Sequence, residues 1–219
     1  MGLRDIAFFV RNVWHLELMN VPQYLAPLLS IIAGVSAGLI TVLDDRRYGL
    51  GMMALQYFCV SIFAGLFISM SVMPLKLIGG TSVILIMYRS VGQLGWKQNG
   101  RAEENLPSGR LFRIIAVLLL ITGSLGIGRT LFSGLANIQP VAISSFLLLS
   151  ALGLLQLSLK EGPFEVALGL FTLINGFELI YSSLESSLAV LALLALTHIG
   201  IAIAISIIAI DVAPGLEGR

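Results

Sequence analysis

Long apolar runs separated by short polar segments are the dominant pattern of the chain. A helix needs about 20 mainly apolar residues to cross the hydrocarbon core of a bilayer, because that core is about 30 Å thick. Runs of this kind cover residues 21–43, 48–87, 111–128, 141–159, 164–184 and 188–210. The second run is about twice as long as the others, so we expect two helices there, with a tight turn near residues 68–73. The pattern therefore predicts an all-α, polytopic membrane helix bundle with about seven transmembrane helices.

The composition supports a membrane protein and argues against several soluble classes. Hydrophobic residues make up 57% of the 219 residues and charged residues 11%, with a formal net charge of +1. A soluble domain carries about 25% charged residues, and a nucleic-acid binder needs a basic face. The lone Cys59 lies in an apolar run, which excludes a disulfide framework and a thiolate metal site. We expect a multi-pass protein of the inner (plasma) membrane. Its surroundings would be the lipid bilayer, and we expect no nucleic-acid partner.

The distribution of Lys and Arg predicts the orientation in the membrane. If seven spans alternate, one side collects nine basic residues, namely Arg46, Arg47, Arg89, Lys97, Arg101, Arg110, Arg113, Lys160 and Arg219. The other side collects three, namely Arg4, Arg11 and Arg129. Because basic loops stay in the cytoplasm, we expect the N-terminus outside and the C-terminus cytoplasmic.

These spans divide the chain into five parts. Residues 1–20 are expected to form an interfacial amphipathic segment with Trp14 at headgroup level, or alternatively a helix that docks on another subunit. The remaining parts are three transmembrane helices at 21–94, a cytoplasmic loop at 95–110, a fourth transmembrane helix with an outer loop at 111–140, and a three-helix core with a short cytoplasmic tail at 141–219.

Three titratable residues inside the spans are the main functional candidates. A charged group at the centre of a membrane helix costs about 2.5–3.5 kcal/mol on insertion scales, so such groups are retained for a reason. Lys76 is a candidate proton-relay lysine, or it snorkels to the outer surface. Glu178 is a second relay candidate, or a protonated, hydrogen-bonded core residue. His198 is the third relay candidate, because an unperturbed histidine titrates in a range suited to proton transfer, or it serves as a hydrogen-bonding group between helices.

Other polar residues are weaker candidates. Glu185 lies seven residues after Glu178, on nearly the same helix face, or it ends the helix; Asn175 and Thr197 lie near the main candidates. Four charged residues lie close enough to span ends to be interfacial, namely Arg89, Arg113, Arg129 and Glu165. We expect no cofactor, metal ion or catalytic centre, because the chain shows no phosphate-binding glycine loop, no nucleophile arrangement and no pair of neighbouring His or Cys ligands.

Short motifs in the last three spans resemble a family of small ion-translocating membrane subunits. They are Gly153-Leu154-Leu155, Gly169-Leu170, Asn175-Gly176, Leu179 and Leu196-Thr197-His198. Upstream, Lys76 is followed thirteen residues later by Arg89. Together these motifs resemble the K subunit of complex I (NuoK), the C subunit of Mrp-type antiporters (MrpC) and, in length and span count, the E-type membrane subunit of hydrogenase-4 (HyfE). The resemblance covers roughly residues 70–90 and 150–210.

The chain departs from that family at both of its acidic positions. The family has a membrane glutamate directly after the Gly-Leu pair, where this chain has Phe171 after Gly169-Leu170. Glu178 lies seven residues further along, on about the same face, as a displaced carboxylate. The acidic position of the last helix is occupied by His198, which is titratable but not acidic.

The resemblance implies a non-catalytic subunit of a multisubunit complex I, hydrogenase or Mrp-type complex. Its partners would be antiporter-like and quinone-reductase-like membrane subunits, and redox chemistry would belong to them. In this hypothesis protons or cations pass through Lys76, Glu178 and His198. A first alternative is a scaffold that links antiporter-like subunits without conducting ions, which the lost glutamate favours. A second is a stand-alone small-molecule transporter, although no clear inverted repeat is visible.

Overall fold

The computed structural model describes residues 22–67, 70, 72–94, 109–130, 140–184 and 187–212, and these contain seven α-helices and no strand. The helices are α1 (Pro22–Val42), α2 (Arg46–Phe67), α3 (Val72–Leu94), α4 (Arg110–Thr130), α5 (Pro140–Leu159), α6 (Pro163–Leu184) and α7 (Leu188–Val212). All seven are long and apolar enough to cross a membrane. The structure thus confirms a polytopic helix bundle with seven spans. The predicted interfacial segment at 1–20, most of the cytoplasmic loop, the outer loop and the C-terminal tail lie outside the described residues.

The predicted division of the long second run is confirmed, but α3 is longer than the apolar pattern indicates. It continues to Leu94, past the end of the apolar run at residue 87. The added turns keep an amphipathic pattern, in which Met87 and Val91 are buried while Tyr88 and Arg89 are exposed. This stretch contains Gly92 but no proline, so the helix extends into the polar region.

The helices α5 and α6 form the most extensive helix–helix interface of the described residues. Glycines in this interface allow the two backbones to approach each other closely. A Cβ atom added to Gly153 would lie 2.6 Å from the backbone nitrogen of Leu173, and one added to Gly176 would lie 2.9 Å from that of Ser150. Small residues allow such close approach between membrane helices. The motif glycines at these two positions therefore set the spacing of α5 and α6.

Two large apolar clusters organise the bundle. One joins α1, α2 and α5 around Phe63 and Leu149, and the other joins α2, α3, α6 and α7 around Met53, Met87 and Phe171. The helices α2, α3, α6 and α7 thus surround a common interior. The three titratable residues selected from the sequence lie in that interior.

Candidate functional site

Lys76, Glu178 and His198 form one buried site, although they come from α3, α6 and α7. The Nζ of Lys76 donates a hydrogen bond to Oε2 of Glu178 at 2.9 Å. The Nδ1 of His198 lies 3.4 Å from Oε1 of the same carboxylate. The side chains of all three are 7% exposed or less. Lys76 therefore does not snorkel to a helix end, since its ammonium group points at the carboxylate on α6.

The ring of His198 is held in a defined orientation. Its Nδ1 lies 3.1 Å from the carbonyl oxygen of Leu194, one turn earlier in α7. Tyr57 meets the ring edge-on at a centroid distance of 6.1 Å, and Phe171 stacks on it at 6.0 Å. Phe171, which directly follows the Gly169-Leu170 pair, thus forms a wall of the site. Because Nδ1 faces two acceptors, the network assigns the hydrogen of the neutral ring to Nδ1 and leaves Nε2 as an acceptor.

A small cavity lies beside the three residues, between α2, α3, α6 and α7. It offers about 10 Å³ to a water-sized sphere, and its wall includes Tyr57 and Asn175 as well as the three titratable side chains. Three residues of this wall have buried atoms with no hydrogen-bond partner within the described residues: the hydroxyl of Tyr57, Nδ2 and Oδ1 of Asn175, and Nε2 of His198. Asn175 was a weaker candidate from the sequence, and the structure brings it to the site.

Tyr57 is a site residue that the sequence did not reveal. It is one of several aromatic residues in an apolar run, and nothing in the local pattern distinguishes it. Its position depends on Gly80 of α3, where an added Cβ would lie 2.7 Å from the tyrosine ring. The Gly79-Gly80 pair, about one helical turn after Lys76, is the sequence feature that could have indicated a close approach of another side chain to α3.

Of the other two weaker candidates, Thr197 does not join the site. Thr197 is exposed, and its hydroxyl group donates to the carbonyl oxygen of Leu193 at 2.9 Å. Glu185 lies outside the described residues. Of the titratable candidates selected from the sequence, those that the structure describes and brings together are Lys76, Glu178 and His198.

A second group of buried charges lies at the other end of the bundle, where α1–α2, α4 and α5–α6 meet. Asp44 accepts hydrogen bonds from Nη1 of Arg113 and Nζ of Lys160, both at 2.6 Å. Arg46 pairs with Glu165 at 2.9 Å. Arg113 and Glu165 do lie near helix ends, as expected, but they are only 4% and 5% exposed and each is ion-paired. The cluster was not predicted from the sequence, because its members come from three separate segments.

The electrostatics of this cluster keep Asp44 ionised. Burial alone would raise the pKa of its carboxyl group, but hydrogen bonds and charges from Lys160 and Arg113 outweigh burial and hold the pKa below its ordinary value of 3.8. Burial also lowers the pKa of Lys160, an effect that its contact with Asp44 offsets only in part. At neutral pH Asp44 is therefore a fixed anion that ties α4 and the α5–α6 connection to the α1–α2 connection.

Comparisons with protein-family models, with curated proteins and with solved structures find no match for the chain. Membership of the family that the motifs resemble therefore stays a prediction.

Proposed function

We propose that the chain is a non-catalytic subunit of a multisubunit complex of the complex I, hydrogenase or Mrp type, in the inner (plasma) membrane. Within it, Lys76, Glu178 and His198 transfer protons as part of ion translocation. The observation that carries this proposal is the carboxylate of Glu178, which lies 2.9 Å from the Lys76 ammonium group and 3.4 Å from His198 Nδ1. The resemblance of the motifs supplies the type of complex and its antiporter-like and quinone-reductase-like partners.

The arrangement allows a proton to move between neighbouring groups. His198 Nδ1 and Glu178 Oε1 are close enough for one transfer after a small approach of the two side chains. A neutral Glu178 would leave the Lys76 ammonium group without its counter-charge inside the bundle, which is costly. Lys76 is then the group that gives up a proton. It lies about one turn into α3, so the predicted outer surface is nearby.

The same geometry favours a proton over a metal cation. A sodium ion bound by the Glu178 carboxylate would share it with the Lys76 ammonium group, which is already 2.9 Å from Oε2. Two cations that share one carboxylate repel each other strongly in a medium of low dielectric constant. Protonation of Glu178 removes charge from the site instead of adding it.

A structural role is the second candidate, because the Lys76–Glu178 pair also ties α3 to α6. In that case the chain is the scaffold subunit considered above, and the ion pair contributes only to folding. The two candidates differ in the expected effect of an apolar replacement of the pair on proton uptake, which only the relay requires the pair to support. A purely structural ion pair can be replaced by apolar residues of similar volume with little loss, or even with a gain, of stability.

The decisive experiment compares proton uptake by variants of the assembled protein. The full chain, with the subunits that co-purify in mild detergent, is reconstituted into liposomes that contain a pH-sensitive dye. A potassium diffusion potential then drives proton uptake. The variants are Glu178→Gln and the apolar double replacement Lys76→Met with Glu178→Leu. The control is Ser158→Ala, which removes an exposed hydroxyl group on α5.

We expect both site variants to lose proton uptake by at least about 100-fold, the usual size of a positioned acid–base contribution. The control should match the wild type. A double variant that assembles and conducts like the wild type would assign the pair to the scaffold role. Uptake by the wild-type complex no faster than that of protein-free liposomes would also contradict the proposal.

A further inference from the structure

The cavity beside His198 has the size and the chemistry of a site for one water molecule. A water needs about 10–15 Å³ of space for its centre and two to four polar partners. The cavity offers about 10 Å³. Three of its lining residues have unpartnered polar atoms, namely the hydroxyl of Tyr57, the amide of Asn175 and Nε2 of His198.

The burial of these groups requires a partner in the folded protein. Asn175 is 0% exposed, His198 3% and Tyr57 6%. A buried polar atom without a hydrogen bond destabilises the folded state, and Asn175 alone has two such atoms. A single bridging water can donate two hydrogen bonds and accept two, which suits a wall that contains donors and acceptors.

We propose that this cavity binds one water molecule, and that the water exchanges protons with Glu178 through the ring of His198. This inference rests on the proposed function and identifies the group that delivers protons to its site. The two ring nitrogens have separate tasks. Nδ1 faces the carboxylate and the Leu194 carbonyl oxygen, and Nε2 serves the water.

The transfer is balanced in two steps. A protonated water in the cavity gives a proton to Nε2, so that one O–H bond breaks and one N–H bond forms. The hydrogen on Nδ1 passes to Oε1 of Glu178, so that one N–H bond breaks and one O–H bond forms. The ring ends neutral in its other tautomer, Glu178 ends protonated, and the water ends neutral. The reverse steps return a proton from the carboxylate to the water.

Phe171 and Tyr57 support this role by confining the ring. Because both aromatic side chains pack on His198, the imidazole is held at the cavity wall with Nδ1 facing the carboxylate, which itself also lines the cavity. A direct route from the cavity to Glu178 would make the histidine dispensable, so the proposal also expects His198→Phe to lose proton uptake as Glu178→Gln does.

The test removes the water's partners without touching the carboxylate. Tyr57→Phe deletes one hydroxyl group and keeps the aromatic edge against His198. Asn175→Leu deletes both amide atoms at similar volume. The matched control is Ser90→Ala, which also deletes a buried hydroxyl group without a partner among the described residues, on α3 but away from the cavity wall. Proton uptake is measured in the reconstituted complex as above, and a density map of the wild-type complex is obtained at a resolution that shows ordered waters.

We expect Tyr57→Phe and Asn175→Leu each to slow proton uptake about tenfold, as for the loss of one hydrogen bond to the carrier. Ser90→Ala should match the wild type, and the map should show a water in contact with Tyr57, Asn175 and His198. An empty cavity, or wild-type uptake in Tyr57→Phe while Glu178→Gln is inactive, would overturn this inference and leave the proposed function intact. Tyr57→Phe decides the matter alone if Asn175→Leu does not fold. Wild-type uptake in Glu178→Gln would overturn the proposed function itself.

Discussion

The ammonium group of Lys76 and the carboxylate of Glu178 meet at 2.9 Å, although the two residues are 102 positions apart in the chain. Both side chains are 7% exposed, so each charge depends on the other for its solvation. This contact makes the folding of α3 onto α6 depend on a pair of charges. It also gives the pair a measurable energetic signature that is independent of any transport activity.

The first prediction concerns the stability of single and double replacements of this pair. Lys76→Met leaves Glu178 without its partner, and Glu178→Leu leaves Lys76 without its partner. Breaking a buried pair in this way typically costs about 3–5 kcal/mol. The double variant leaves no orphaned charge at these two positions, so we expect it to be more stable than either single variant. The measurement is thermal unfolding of the full chain in mild detergent. Effects of the two single changes that simply add in the double variant would show that the contact is energetically unimportant.

The sequence identified the three titratable residues but did not predict their meeting. Lys76, Glu178 and His198 were recognisable because each interrupts an apolar span, where an ionisable group is expensive. Their contact depends on which faces of α3, α6 and α7 turn toward one another. That choice is made by packing over the whole bundle, and the apolar pattern of a membrane helix carries little information on it, because lipid-facing and core-facing positions are both apolar.

Other residues of the two charged sites were not predicted from the sequence, for a different reason. Tyr57 is an ordinary aromatic residue whose importance comes from unpartnered polar neighbours on other helices. Asp44 and Lys160 lie in connections between helices, where a charged residue is the normal expectation. Their significance is the mutual pairing across segments, which no local pattern shows. The number of spans was predictable for the opposite reason, since each span depends only on local apolarity and length.

The second prediction concerns the pH dependence of stability that Asp44 confers. A carboxyl group whose folded-state pKa lies below its unfolded value stabilises the fold above the unfolded pKa, and this contribution is lost as the pH falls through the folded pKa. The pKa of Asp44 is lowered by its bonds to Lys160 and Arg113, which outweigh burial. We expect Asp44→Asn to destabilise the protein at neutral pH by about 2 kcal/mol, less than for a fully buried pair because Asp44 is 24% exposed.

The gap in unfolding temperature between the wild type and Asp44→Asn should close as the pH is lowered below the ordinary value of 3.8. Asp45→Asn is the matched control. Asp45 is adjacent and accepts a bond from the backbone nitrogen of Arg47 in an exposed setting, so its replacement should have little effect. A gap that stays constant throughout acid titration would show that the charge of Asp44 does not stabilise the cluster.

The third prediction concerns the close packing of α5 and α6. Gly153→Ala places a Cβ 2.6 Å from the backbone nitrogen of Leu173, so the two helices must move apart. We expect the free energy of unfolding to fall by about 1–3 kcal/mol, as for other overpacked interiors. Gly123→Ala is the control, because an added Cβ on that helical glycine meets nothing within 4 Å. The free energy of unfolding of Gly123→Ala should equal that of the wild type or exceed it by up to about 1 kcal/mol. Equal unfolding temperatures for wild type and Gly153→Ala would contradict the glycine-spaced interface.

The last prediction concerns the orientation of the bundle, which decides the membrane face that each charged site serves. The chain has one cysteine, Cys59, and it is buried, so a Cys59→Ala background leaves no other thiol to label. Met70→Cys places a thiol in the turn between α2 and α3, where Met70 is 62% exposed. Gly109→Cys places one before α4, at an exposed position.

The two positions are separated by one span, α3, so they must lie on opposite faces of the membrane. From the excess of basic residues we expect a membrane-impermeant maleimide to label Met70→Cys in right-side-out vesicles and Gly109→Cys in inside-out vesicles. That result would place the Asp44 cluster at the cytoplasmic face and Lys76 near the outer face. The opposite pattern would reverse the direction of proton release proposed for Lys76. Labelling of both thiols from one side would contradict the assignment of α3 as a membrane span.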